Sequence, residues 1–224
     1  MKSKNDVELI EYTVAQDALN CATHAVGAVM GVFVLVMLIR KAAPFGSVRY
    51  TLSALIYGLS LVLLYTASAV YHGLPKGEMK RAARIVDHSV IPVLIAGTAT
   101  PCAMITLYAY NRVCCVAVMI LAWGSVLFGL VAKLLFFQKT KTACVVVYIA
   151  AGAVMLSCSL AVINEINLHA LRLLVLGCIV YLSGSVFCAV GRSHPWCHVI
   201  FHMFIVAGSM IHAFAIYKYV FVLK

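Results

Sequence analysis

The chain has 224 residues, of which 64 % are hydrophobic and only 11 % charged, with a formal net charge of +10. That balance excludes an ordinary soluble globular domain and places the chain among polytopic membrane proteins, read as a single bundle. The Lys and Arg residues lie between apolar segments and form no stripe interleaved with aromatics, which excludes a nucleic-acid surface.

Residues 1–20 are polar and read as a cytoplasmic interfacial segment. They include Asp6, Glu8, Glu11 and Asp17, the opposite of a basic region before an apolar core, so no cleavable signal peptide is expected. The transmembrane domain is expected over residues 21–217. Its first span runs from about Cys21 to Ile39 and its second from Thr51 to Tyr71. The third runs from Asp87 to Tyr108, with Pro92 and Pro101 as kinks inside it. The fourth covers Val113 to Leu135, where Lys133 is placed to snorkel. The fifth covers Ala143 to Ile163 and the sixth Ala170 to Val190. The seventh begins near Pro195, with Trp196 in an aromatic belt, and a short tail follows at 218–224. Each span is close to the ~20 residues that cross a hydrocarbon core. The fold class is therefore an all-α integral membrane protein, a seven-helix bundle. Ten of the 17 Lys and Arg fall at the N-terminus and near 73–86, 132–142 and 191–194, leaving seven opposite. The positive-inside rule then gives a cytoplasmic N-terminus and an outer C-terminus in the cell's inner (plasma) membrane. Nine cysteines without a C-x-x-C read as small packing residues.

The last span opens with His198-Val-Ile-Phe-His202, two imidazoles at i and i+4 on one helix face inside an apolar run. Ionisable groups in such a run mark function. The alternating topology brings the start of the first helix, the end of the second, and the starts of the third and seventh to one membrane face. Those ends carry Asn20 and His24, Ser68 and His72, Asp87 and His88, and His198 and His202. His72, His198 and His202 are the best metal triple: three neutral imidazoles leave one position open, as in catalytic zinc sites. Zinc can lower the pKa of a bound water to about 7. The residues between His198 and His202 include no Glu, so the base must come from another helix, and Asp87 is the candidate. Ser68, one turn before His72, could hold the water or polarise a carbonyl. Asn20 and His24 are candidate supports behind the ligands. His212 follows His202 by ten residues and returns to nearly the same stripe, and it is placed with them. His88, His169 and His194 read as ordinary interfacial histidines.

Asp17-x-x-Asn20-x-x-Thr23-His24, Ser68-x-x-x-His72, Arg84-x-x-Asp87-His88, Ala96-Gly97-Thr98-x-Thr100-Pro101 and His198-x-x-x-His202 with His212 together resemble the hemolysin III family, the bacterial branch of the progestin and adipoQ receptor superfamily. The resemblance implies seven helices, an inside N-terminus, and zinc held by His72, His198 and His202, with Asp87 and Ser68 in the family's Asp and Ser positions. One departure is Asp17, where the family's first motif usually has Glu. The superfamily also resembles alkaline ceramidases, which hydrolyse lipid amides.

Three functions compete. The first is an intramembrane zinc hydrolase of a lipid amide or ester. The second is a membrane-lipid homeostasis sensor in which zinc is structural. The third is a pore-forming haemolysin, the activity behind the family name. The pore reading is disfavoured by the lack of a polar stripe on several helices. A retinal-type receptor is disfavoured because the last span has no lysine before Lys218. A membrane lipid is the expected substrate or ligand.

Overall fold

A computed structural model describes residues 7–137, 140–191 and 193–222. Residues 1–6 of the polar N-terminal segment, the last two of the tail, and the basic residues Lys139 and Arg192 counted for orientation lie outside the described residues. The described chain is helical, without strands. Its long helices are α1 (Val14–Ala42), α2 (Val48–Gly73), α3 (Glu78–Tyr110), α4 (Arg112–Phe136), α5 (Lys141–Leu160), α6 (Leu168–Val190) and α7 (Trp196–Val220). Six of them, all but α5, are long and apolar enough to cross a membrane. In α5 the apolar stretch is Val146–Leu160.

Two helices start earlier than the apolar runs suggest, and both differences have local causes. In α1, Thr13 forms a capping box with Gln16, which starts the helix seven residues before Cys21. That places Asp17 and Asn20 on the helix, two turns and one turn before His24. In α3, the charged stretch from Glu78 is already helical, and its backbone breaks at Val90 before resuming at Ile91. Pro92, two residues after Val90, lacks the N–H that would bond the His88 carbonyl, so this irregularity inside α3 is where the proline falls. Pro101 is followed by a π turn over Cys102–Leu107, the adjustment expected downstream of a lost donor.

Successive helices pack in order, α1 on α2, α2 on α3, α3 on α4 and α4 on α5; α6 pairs with α7, and α7 returns to α1. Of the six helices long enough to cross a membrane, α3 is the most enclosed and α6 the least. Outward faces carry Val29, Phe33, Ile120, Leu127 and Val186, all well exposed, as a lipid-facing surface requires. Lys133 does not snorkel. It is buried, with Nζ 5.4 Å from the Phe137 ring centre, because α5 packs over this end of α4 and sets Cys144 beside it.

Small residues and tyrosines fix how α1, α2 and α7 meet. Gly58 lets α2 approach the α1 backbone so closely that a Cβ there would lie 2.7 Å from the Leu35 Cα. Tyr65, fully buried on α2, donates to Ser209 Oγ on α7 at 2.6 Å, and Tyr181 of α6 shares the same hydroxyl at 2.7 Å. Buried hydroxyls are satisfied in pairs. These bonds lock the axial position of α7 against α2, and so the height of His198 and His202 relative to His72.

Candidate metal centre

His72 lies one residue from the end of α2; His198 and His202 occupy the first two turns of α7. One ring nitrogen from each lies within 4.8 Å of the others. His198 Nε2 and His202 Nε2 are 3.1 Å apart, near the ~3.3 Å edge of a tetrahedron built on Zn–N bonds of ~2.0 Å. The triad can therefore hold a metal ion.

The tautomers of two of these rings follow from their partners. His72 Nδ1–H donates to Asp17 Oδ1 at 2.9 Å, and His202 Nδ1–H donates to the Asn20 carbonyl at 3.3 Å. Both partners can only accept, so the protons sit on Nδ1 and the lone pairs on Nε2. The Nε2 of His72 is buried without a partner. A buried acceptor normally has one, and a metal ion fits this one.

Asp17 is itself clamped. Lys80 Nζ, 2 % exposed, donates to its second oxygen at 2.7 Å and to the Leu74 carbonyl at 3.0 Å. The set Lys80–Asp17–His72 has the form of a carboxylate–histidine–metal arrangement, in which the carboxylate fixes ring orientation and raises ligand basicity. Replacing Asp17 by Asn should weaken metal binding by ~10–100-fold, measurable by chelator competition, without abolishing it. An unchanged affinity would show that the contact does not orient the ligand.

Asn20 is fully buried; its carbonyl holds His202 while its side-chain amide has no partner. His24 stacks on His202 with ring centres 3.7 Å apart, and both its nitrogens lack partners. Ser68 is buried one turn before His72 and lies within electrostatic reach of Asp87, which brings α3 to the same level. The non-helical segment before α1 lays Tyr12 over the mouth, its ring 5.5 Å from His72 and 5.4 Å from His198. Burial pushes the Tyr12 hydroxyl pKa up, so it stays a donor. His212 stands apart: ten residues along α7 is ~15 Å of rise, and its Nε2 is bonded to the Leu174 carbonyl of α6 at 2.9 Å. His88 packs against Phe137, His169 stacks near Tyr219 and His194 is exposed at the surface.

Sequence alone assigns no role to Lys80 or Tyr12, and Arg84 enters only as the first residue of the Arg84-x-x-Asp87-His88 motif. A usable signal existed for α1, where Gln16, Asn20, His24, Gly27 and Gly31 form a buried polar and small-residue stripe at helical spacing. Lys80 and Arg84 repeat at i and i+4, the spacing of one helix face.

A family profile described as haemolysin-III related matches residues 12–213. The chain is 31 % identical over 208 residues to the hemolysin-3 homolog of Bacillus subtilis (strain 168), covering 93 % of this chain and 96 % of that one. It is 30 % identical over 207 residues to hemolysin-3 of Bacillus cereus, covering 92 % and 93 %. The human monocyte to macrophage differentiation factor is 26 % identical over 218 residues, covering 93 % and 86 %. No solved structure matches.

Proposed function

From its membership of the haemolysin III family, to which this chain belongs, we propose that the protein is a zinc-dependent intramembrane hydrolase of a lipid amide or ester. The observation that carries the reading is the convergence of three imidazoles from α2 and α7, with Ser68 one turn before His72 and within reach of Asp87. His72, His198 and His202 would hold the ion. A zinc ion supplies Lewis acidity at such a site, polarising a carbonyl and acidifying a water. Asp87 takes a proton from the attacking water as its oxygen bonds to the acyl carbon. The same proton passes to the leaving amine or alkoxide as the C–N or C–O bond breaks. Ser68 holds the Asp87 carboxylate in position for both transfers. Asn20 and His24 keep the His202 ring aligned.

The bundle in this reading has seven spans, with α5 as the fifth, an N-terminus in the cytoplasm and the site at the cytoplasmic face of the plasma membrane. Reporter fusions at the two ends should fall on opposite sides, and finding both on one side would contradict seven spans. The test of function is lipid profiling of a deletion strain, followed by assay of the purified, metal-loaded protein on the lipid amides or esters that accumulate. Accumulation that the wild-type gene reverses, with release of fatty acid in vitro, supports the hydrolase. An unchanged lipid profile and no release would overturn it.

A further inference from the structure

Two buried cations border the three histidines, and they are not alike. Lys80 is neutralised by Asp17. Arg84, one turn further along α3, is 5 % exposed, and among the described residues no carboxylate lies within ion-pair distance of it. Its Nε–H has no hydrogen-bond partner. The guanidinium lies within electrostatic reach of His72, His198, Tyr12, Tyr71 and Asp87, with the Phe137 ring centre 5.9 Å from its Cζ. Asp87, the acid within its electrostatic reach, makes no ion pair with it.

A guanidinium stays charged at any depth, and an enclosed, unpaired one is costly. The formal charges of Asp17 and Asp87 offset those of Lys80 and Arg84. A dication on three neutral imidazoles then leaves the whole site positive, and an anion would correct it. The Tyr12 hydroxyl, buried at the same mouth, is a second donor without a partner. Arg84 is six residues from the start of α3 at Glu78, ~9 Å along the helix, a depth that suits a lipid head group.

We propose that Arg84, with the Tyr12 hydroxyl, binds an anionic phosphate or carboxylate group presented to the metal centre. The forked donors of the guanidinium match the paired oxygens of either group. This deepens the hydrolase reading and rests on its metal centre, selecting ligands that carry a phosphate or carboxylate over ones that carry neither.

The test uses the full chain, metal-loaded, in a neutral detergent. Binding of fluorescent phosphatidylglycerol is compared with that of the matching diacylglycerol, which lacks the phosphate, with glycerol phosphate as the soluble competitor. Wild type should prefer phosphatidylglycerol by about tenfold or more, the worth of a hydrogen bond to a charged group. Arg84→Met should erase the preference with metal content unchanged, while Arg84→Lys and Tyr12→Phe retain part of it. Competition by glycerol phosphate at matching affinity would assign the site to a soluble anion; failure to compete would assign it to the lipid head group. Both keep the role of Arg84. Equal binding of the two lipids by wild type, or the same preference in Arg84→Met, would overturn it. If Arg84→Met does not fold, a full wild-type preference in both Arg84→Lys and Tyr12→Phe would overturn it as well. Selective binding without turnover would sink the hydrolase and leave this assignment standing. Turnover without any head-group preference would do the reverse.

Discussion

Replacing Asp87 by Asn is expected to lower turnover of the lipid amide or ester by ~10²–10⁴-fold while metal content stays at the wild-type level. The substitution keeps the size of the side chain and its acceptor oxygen towards Ser68, but removes the group that takes the proton. His72→Ala gives the contrasting result. It deletes a ligand whose Nε2 is otherwise unpartnered, so metal affinity falls and activity falls with it. Elemental analysis separates two variants that an activity assay alone would score alike. If Asp87→Asn restores a deletion strain as fully as wild type while His72→Ala does not, the metal is structural and Asp87 is not a base.

The second large effect concerns packing. Gly58→Leu should destabilise the bundle severely, because even the first carbon of the new side chain would meet the Leu35 backbone at 2.7 Å. Overpacking costs about 1–3 kcal/mol even where neighbours can shift, and here the obstacle is main chain. Parting α1 from α2 also separates Asp17 from His72, so metal affinity should fall along with the melting temperature in detergent. Gly124→Ala is the control, since nothing lies within 4 Å of a Cβ there. Equal melting temperatures for Gly58→Leu and wild type would show that this approach does not hold the helices.

The three imidazoles were legible from the sequence because each interrupts an apolar run, and because alternating helices bring the end of α2 and the start of α7 to one face. Ser68 and Asp87 were legible for the same reason. Asn20 and His24, expected behind the ligands, do lie against His202, but the charged groups around the three imidazoles were not legible. Asp17 was assigned to a polar leader because the apolar run begins at Cys21, whereas the capping box at Thr13 starts the helix earlier and turns Asp17 towards His72. Lys80 and Arg84 sit in the charged stretch that precedes the third apolar run. Only the packing of α3 on α2 encloses them, and hydrophobic periodicity carries no trace of such a contact. His212 went the other way. Its return to the stripe of His202 fixed an angular position, but the ~15 Å of rise between them decides that its partner is Leu174.

Metal content is the most direct measure of the central claim, that His72, His198 and His202 hold a zinc ion. Wild-type protein purified without added chelator should contain about one zinc per chain, as three imidazoles with one open position require. The His198→Ala/His202→Ala double variant, folded by circular dichroism, should contain none. The same zinc content in both proteins would contradict the account.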